Sequence, residues 1–239
     1  MDRVNYFVLP LLLLMLSACS QHVGNHNDIA IAEMEKAGNT QGMIAYYKSE
    51  LQTDSDNPSL YQKIAQLYYS NHDLESAEFY ANHSQKIAEP DQHLFLLMGK
   101  IYDDSGKYTD ALEAFDQSEL QGNSSAELYI SRGIVLSKLG QYLQAEEQFN
   151  TARLNGYNDI AVKNNLAVLY LLQRRYAEAA DILLPLLPYA KDNQRLKVNL
   201  SIALIKVGDK ERAYHTLKDL YNDEQLRVLF QLVKDMEQV

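Results

Sequence analysis

A period of 34 residues runs through this chain and constrains its fold more than any other sequence feature. Its clearest marker is an alanine that recurs five times without slippage. The residue twelve positions before each alanine is always small, and the residue three positions after that small residue is always large and apolar. A chain with such a period consists of copies of one short element that bury their apolar faces by stacking. In chain order the alanines are Ala77, Ala111, Ala145, Ala179 and Ala213; the small residues are Ala65, Gly99, Gly133, Ala167 and Ser201; and the large residues are Tyr68, Tyr102, Leu136, Tyr170 and Leu204.

Each copy has the pattern of two short amphipathic helices joined by a tight turn. In residues 92–125 the first helix carries Gly99 and the second carries Ala111, with Gly106 between them. Glycine is favoured at such a turn because it tolerates a positive φ angle. The small residues Gly99 and Ala111 are predicted to let the two helix backbones approach closely. His72 falls at the turn position of its own copy, which indicates a turn residue and not a metal ligand.

Helix–turn–helix at this period, with these small and large positions, resembles the tetratricopeptide repeat (TPR). The resemblance implies an all-α fold, an α/α superhelical solenoid of about six helix pairs with a C-terminal capping helix. Asn222 and Asp223 are the predicted N-cap of that last helix. The solenoid is predicted over 28–239, with repeats at about 24–57, 58–91, 92–125, 126–159, 160–193 and 194–227 and the cap at 222–238.

The first residues have the pattern of a secretory signal that ends in a cysteine. Arg3 precedes an apolar run from Phe7 to Leu16, which is too short to span a bilayer. The sequence Leu16-Ser17-Ala18-Cys19 resembles the lipobox of bacterial lipoproteins, which implies removal of residues 1–18 and lipidation of Cys19. An ordinary secretory signal with a chance cysteine is the alternative. Cys19 is the only cysteine, so no intramolecular disulfide can form.

Residues 19–27 are predicted to be the lipidated cysteine and a short polar tether. Ser20, and not Asp, follows the cysteine. By resemblance to lipoprotein sorting in double-membraned bacteria, this implies the periplasmic face of the outer membrane. Acyl chains contribute about 0.8 kcal/mol per buried CH₂, so several of them make attachment essentially permanent.

Nothing in the sequence predicts an enzyme, a cofactor, a metal site or a small-molecule substrate. The six histidines show no HExxH spacing, and no cysteine remains to help them bind a metal. The chain carries a formal net charge of −10 and has no basic stripe. Nucleic-acid binding requires neutralisation of phosphates, so this charge balance argues against it.

The resemblance to TPR proteins implies that partners bind on the face lined by the first helix of each repeat. The positions three before, one after and four after the small residue share that face, because they are spaced as i, i+4 and i+7. In repeats two and three these positions are mixed and mostly polar, whereas in repeats four to six they are mostly aliphatic. The predicted partner groove consists of Ile130, Ile134, Asn164, Val168, Leu171, Val198, Ile202 and Ile205, with Ser137 beside it.

Two explanations of this apolar face stay open. Either the C-terminal helix or tight curvature covers it, or it binds an apolar strip of a partner, such as an amphipathic helix. A clamp for a C-terminal carboxylate is not predicted. Ile130 and Ile134 stand where a Lys and an Asn would be needed, and Asn165, Arg195 and Asn199 supply only fragments of one.

A lipobox followed by six such repeats resembles the periplasmic TPR lipoproteins of pilus assembly, and most closely the TadD family of tight-adherence (Flp) pilus systems. The resemblance is best over NNLAVLYLLQRRYAEAADILLPLL and LKVNLSIALIKVGDKERA. It implies a scaffold that helps the secretin, the ring-shaped outer-membrane channel, to assemble. A regulator that docks on a cell-wall enzyme and a periplasmic holdase chaperone are the alternatives.

Overall fold

The computed structural model describes residues 22–189 and 192–235, with side chains from residue 29 onward, and its regular structure there is entirely helical. The helices form two compact bodies, residues up to Glu89 and residues from Pro90, called here the N-terminal and C-terminal bodies. The fold class predicted from the period is confirmed, because helix pairs follow one another in every predicted repeat. The helices are α1 His22–Lys36, α2 Thr40–Leu51, α3 Pro58–Ser70, α4 Leu74–Ile87, α5 Gln92–Asp104, α6 Tyr108–Leu120, α7 Ala126–Lys138, α8 Tyr142–Leu154, α9 Asp159–Leu172, α10 Tyr176–Leu183, a 3₁₀ helix Leu184–Tyr189, α11 Gln194–Lys206, α12 Lys210–Leu217 and α13 Asp223–Asp235.

The turn between the two helices of a pair has a left-handed residue at the same repeat position in all six pairs. Four of these residues are glycines, but His72 and Arg174 adopt φ angles of 61° and 60° without being glycine. The sequence-based assignment of His72 to the turn agrees with this geometry. The left-handed region costs an L-residue free energy, so these two turns carry local strain. The four glycines are Gly38, Gly106, Gly140 and Gly208.

In repeats three and four, the glycine of the first helix makes room for a side chain of the second. A Cβ atom added at Gly99 would lie 2.3 Å from Cε1 of Phe115, and one added at Gly133 would lie 2.6 Å from Cε1 of Phe149. Both rings are buried. In repeats three and four an aromatic ring of the second helix therefore occupies the space that the missing side chain leaves.

A second repeated contact ties the end of a second helix to the start of the first. The Ser84 hydroxyl donates to the carbonyl oxygen of Pro58 at 2.8 Å, and the Ser118 hydroxyl donates to that of Gln92 at 2.6 Å. Both serines are buried. Carbonyl groups in the first turn already accept helical hydrogen bonds, so the hydroxyl is an additional donor that fixes the two helices against each other.

The last helices depart from the regular repeat. α10 and α12 span only 8 residues each, compared with 13 for α6 and α8. After α10 the chain continues as the 3₁₀ helix, which contains Pro185 and Pro188 and buries Leu186. Proline has no N–H to donate and disfavours a continuing α-helix, which explains the change.

The predicted capping helix is present as α13. Its N-cap is the predicted Asn222, whose side-chain oxygen accepts from the Gln225 N–H at 2.9 Å, while the Gln225 side-chain oxygen accepts from the Asn222 N–H at 3.0 Å. This reciprocal pair is a capping box. The buried side chain of Val233 and the half-buried Leu229 and Phe230 place α13 on the cluster formed around α11.

The N-terminal body is rich in aromatic contacts. Tyr61 stacks on His83 with ring centroids 4.5 Å apart, and Tyr68 stacks on Tyr80 at 5.5 Å. The Lys48 ammonium donates to the Tyr68 hydroxyl at 2.8 Å, and this bond raises the pKa of Lys48. These ring contacts join α2, α3 and α4 beside the buried aliphatic side chains of Ile44 and Ile64.

Helix α1 begins at His22, within the stretch assigned to the tether, so residues 22–27 are helical in this structure. The predicted signal peptide and Cys19 lie outside the described residues. Across the part of the chain that is described, no helix has both the length and the apolar character needed to cross a bilayer.

Candidate functional site

The predicted partner groove lies in the C-terminal body, on one face shared by four successive first helices. We call it the first-helix face and define it by three positions in each helix. Its members are Leu96, Lys100 and Asp103 on α5; Ile130, Ile134 and Ser137 on α7; Asn164, Val168 and Leu171 on α9; and Val198, Ile202 and Ile205 on α11.

At the α5–α7 end, ion pairs connect this face to its surroundings. Lys100 pairs with Glu127 at the start of α7, and the Lys138 ammonium lies 2.6 Å from a carboxylate oxygen of Asp103. The Asp103 side chain is 15% exposed and Lys138 is 37% exposed, so this pair is only partly open to water. These side chains satisfy each other, which leaves this end of the face polar and already paired.

At the α9–α11 end, a single amide pair replaces the ion pairs. Asn199 donates from Nδ2 to Oδ1 of Asn164 at 3.0 Å, and both side chains are half-buried. The neighbouring Val168, Ile202 and Val198 are half-buried aliphatic groups. The structure therefore brings these predicted groove residues together on adjacent helices.

The eight predicted groove residues differ in how much of each remains accessible. Ile130 is 6% exposed and Ile205 is 7% exposed, so these two belong to the buried core. The other six are half-buried: Ile134, Asn164, Val168, Leu171, Val198 and Ile202. None of the eight is classed as exposed, and together they form an apolar strip along α7, α9 and α11.

The C-terminal helix covers part of the strip. Val233 belongs to the same buried cluster as Ile205, and Leu229 and Phe230 pack against that cluster, as do Leu171 and Ile202. Ile130 belongs instead to a separate cluster formed by α7, α8 and α9, against which Ile134 packs. Coverage by α13 thus applies to the α11 side of the strip, and the cluster around Ile130 contains no residue of α13.

Behind the strip, a charged network holds α9 in place. The Tyr170 hydroxyl donates to Glu146 on α8 at 3.2 Å, and the Arg175 guanidinium lies over the Tyr170 ring, 4.3 Å from its centroid. Burial raises the pKa of Tyr170, and the Glu146 carboxylate raises it further. The tyrosine is therefore a neutral donor at physiological pH, and it fixes the orientation of α9 against α8.

Two polar pairs of the face were not found by sequence reasoning, although a signal for both is present. Asp103 and Lys138 are separated by 35 residues, and so are Asn164 and Asn199. That spacing is one residue more than the repeat, and it connects adjacent first helices. A search for complementary polar residues at this offset would have found both pairs.

Within the described residues, His, Cys, Asp and Glu side chains do not gather in threes as metal ligands would. What the face offers chemically is apolar contact area bordered by amide and charged groups. Such a surface suits binding of another polypeptide.

Comparison with known proteins agrees with the helix-pair architecture. Residues 70–152 match the family described as anaphase-promoting complex, cyclosome, subunit 3, and residues 130–192 match a tetratricopeptide-repeat family. No curated protein matches the sequence. The two matched segments and the helix pairs agree with the fold of a tetratricopeptide-repeat solenoid.

Several solved structures have a similar fold at low sequence identity. PilW, described as a widely conserved type IV pilus biogenesis factor, is 15% identical with a TM-score of 0.75, over 90% of this chain and 99% of PilW. PilF of Pseudomonas aeruginosa is 16% identical with a TM-score of 0.66, over 84% and 93% of the two chains. A TPR protein of Parabacteroides merdae is 21% identical with a TM-score of 0.65, over 84% and 80%.

Proposed function

We propose that this tetratricopeptide-repeat protein is a lipid-anchored scaffold on the periplasmic face of the outer membrane that helps to assemble a pilus secretion apparatus. The observation that carries the proposal is the aliphatic strip on α7, α9 and α11, which lies on the face where TPR proteins receive partners. The likeness to PilW over nearly the whole of both chains directs the proposal to pilus assembly. We propose the secretin of a tight-adherence (Flp) system as the partner, following the resemblance to the TadD family.

The strip is suited to an apolar segment of limited length. Val168, Val198 and Ile202 retain accessible area, and the Asn164–Asn199 pair beside them offers donors and acceptors for a backbone. An amphipathic helix lays its apolar face into such a surface through residues spaced i, i+3, i+4 and i+7. The paired charges at Lys100 and Lys138 mark the polar end of the face, where an apolar segment gains little binding free energy.

Site-specific photo-crosslinking in the native cell tests the docking surface. A benzoylphenylalanine at Val198 on α11 should crosslink to a secretin or another pilus component, identified by mass spectrometry. Leu143 on α8 is the matched control, because it is an aliphatic residue that is 86% exposed and lies outside the first-helix face. Equal crosslinking of the same protein at both positions would contradict docking on this face. A cell-wall enzyme at Val198 would favour the regulator alternative, and many unrelated clients would favour a holdase.

Charge insertion separates docking from core packing. The double variant Val168→Asp with Ile202→Asp should abolish the Val198 crosslink while the far-UV circular dichroism stays that of the parent. Leu143→Asp with Leu154→Asp is the control, since these two leucines are 86% and 83% exposed. If the face variant loses its helicity, the strip is part of the core and the docking proposal is wrong.

The anchor is tested independently of the partner. Cys19→Ser removes the thiol that would receive the lipid, so the protein should move from the membrane fraction to the soluble periplasmic fraction. An unchanged membrane fraction after a high-salt wash would overturn the lipid anchor and leave the scaffold proposal standing.

A further inference from the structure

A second recess lies at the C-terminal end of the body, between α12 and α13. It has a volume of about 510 Å³, which is in the range of ligand-binding clefts. Lys210 and Tyr214 line it from α12, and Arg227, Phe230 and Lys234 line it from α13. We call it the α12–α13 cleft. It shares no residue with the first-helix face.

The charge of this cleft is opposite to that of the whole protein. Lys210, Arg227 and Lys234 carry positive charge at its rim, whereas the chain has a formal net charge of −10. All three side chains are exposed, and Arg227 Nε donates to the Asp223 carbonyl oxygen at 3.4 Å. Asp223 is the acidic residue of the lining. Three exposed cations and a single carboxylate around one recess produce a local positive potential that attracts anionic groups.

Between these cations lies an apolar floor. Leu226 and Phe230 both belong to the lining of the recess; Phe230 is half-buried and supplies accessible carbon surface, whereas Leu226 is 3% exposed and lies beneath it. The Tyr214 hydroxyl donates to a carboxylate oxygen of Asp223 at 3.0 Å, which connects the two walls and occupies that acid. The cleft therefore combines a shaped apolar site with cations at its edge.

We propose that the α12–α13 cleft binds an acidic segment of a partner protein, one that inserts an apolar side chain over Leu226 and Phe230 and places carboxylates against the three cations. Charge complementarity is the argument for this occupant. The recessed floor and the acidic Asp223 in the wall favour a polypeptide over the anionic surface of a membrane, which would meet protruding cations and not a cleft.

Two short fluorescein-labelled peptides test the proposal. They carry the same Leu and Phe stripe at helical spacing and differ only in having Glu or Lys at the flanking positions. The Glu peptide should bind the full-length protein at least about tenfold more tightly than the Lys peptide, measured by fluorescence anisotropy, because several exposed charge pairs add in its complex and oppose binding in the other. The difference should shrink as salt is raised. Equal affinity for the two peptides would overturn the proposal.

Charge reversal locates the site. Lys210→Glu, Arg227→Glu and Lys234→Glu together should reverse the preference between the peptides. The control is Lys36→Glu, Lys86→Glu and Arg153→Glu, which makes the same change in net charge at exposed positions outside the cleft. If the control weakens the Glu peptide as much as the cleft variant does, the attraction is non-specific and the cleft is not the site. The proposal would also be overturned if the parent protein sediments with vesicles rich in anionic phospholipid, the cleft variant alone does not, and the parent shows no preference between the peptides. The three cations would then be assigned to a membrane surface.

Discussion

The helix pairs α5–α8 and α9–α12 fill the same repeat frame with different side chains. In the earlier pairs a glycine of the first helix faces a phenylalanine, as Gly99 faces Phe115. At the same two positions of the later pairs, Ala167 goes with Leu183 and Ser201 with Leu217, all of them fully buried. A larger residue on one helix goes with a smaller one on the other. The summed volume of the two facing residues is similar in both regions, because a close-packed interior tolerates a change of side-chain shape better than a change in volume.

The same two regions differ in the chemistry of their first-helix faces. In the earlier pairs, α5 and α7 are joined by ion pairs such as Lys138–Asp103. In the later pairs, α9 and α11 have the Asn164–Asn199 bond and aliphatic neighbours. The two regions share the buried residue pair of similar volume, while their accessible surfaces differ in chemistry. A repeat protein can thus keep its fold by internal volume and vary its surface along the chain.

The largest effect is expected where the earlier pairs are given the small residue of the later ones. Gly99→Ala should lower the free energy of unfolding by about 2 kcal/mol, because the new Cβ meets the buried Phe115 ring and overpacking outweighs the better helix propensity of Ala. Urea unfolding measures the change. Phe115→Leu in the same chain should recover part of the loss by reproducing the Ala167–Leu183 pair. If Gly99→Ala alone is as stable as the parent, the Phe115 ring can move to accept the new Cβ. The packing distinction between the two regions would then be removed.

A smaller loss is expected from Ser118→Ala, which gives repeat three the residue that Ala152 provides in repeat four. The hydroxyl of Ser118 donates to the Gln92 carbonyl and accepts from Asn123 Nδ2 at 2.8 Å. Its removal leaves the buried Asn123 short of a partner, so we expect a loss of about 1.5 kcal/mol in unfolding free energy. Thermal unfolding followed by circular dichroism checks this, with Ser105→Ala at an exposed C-cap as the control. An equal effect of the two changes would contradict a special role for this bond.

Exchanging the turn residues of the two regions should change stability in opposite directions. Arg174→Gly should stabilise the protein by about 0.5–1 kcal/mol, since glycine adopts the left-handed conformation without the cost to an L-residue. Gly140→Arg should destabilise it by about 1 kcal/mol, because the arginine must adopt the left-handed conformation. No atom obstructs a Cβ at this position, so the backbone conformation is the only cost. Chemical denaturation of both variants provides the measurement. Loss of stability in both would mean that the Arg174 side chain contributes more than its backbone conformation costs.

The smallest effect is expected at the ion pairs of the earlier region. Lys138→Met removes the ammonium that contacts Asp103 and should cost about 0.2–1 kcal/mol, the usual range for a partly exposed pair. The cost should decrease in high salt, which screens the pair in the parent protein. A loss that is larger than this and independent of salt would show that the ion pair is needed for the fold. The polar side chains at this end of the face would then not be a variable surface feature.

Much of the fold follows from local pattern. The positions of Gly106 and Ala111 predict a turn and a second helix, and both are found where the period places them. Asn222 predicts the start of the last helix because a side-chain oxygen can satisfy an unpaired N–H within three residues. Features of this kind depend on neighbours in the chain, so one sequence is enough to identify them.

The exposure of the candidate site could not be predicted in this way. Ile130 and Val168 have the same apolar character and occupy neighbouring positions of the face, yet Ile130 is buried and Val168 is half-buried. The cleft of Lys210 and Lys234 was not predicted, because these residues are separated along the chain and belong to different helices. Accessible area depends on which helix lies across a face, and that is a property of packing.

The sequence by itself determined the succession of helix pairs and the turn residues, because both rest on a period or on contacts within a few residues. Only the tertiary structure decided that the Phe115 ring occupies the space at Gly99, that α13 covers the α11 side of the strip, and that three cations gather beside Phe230. The physical reason is that these features depend on distances between helices. Those distances are set when all side-chain volumes are packed together, and no local pattern contains them.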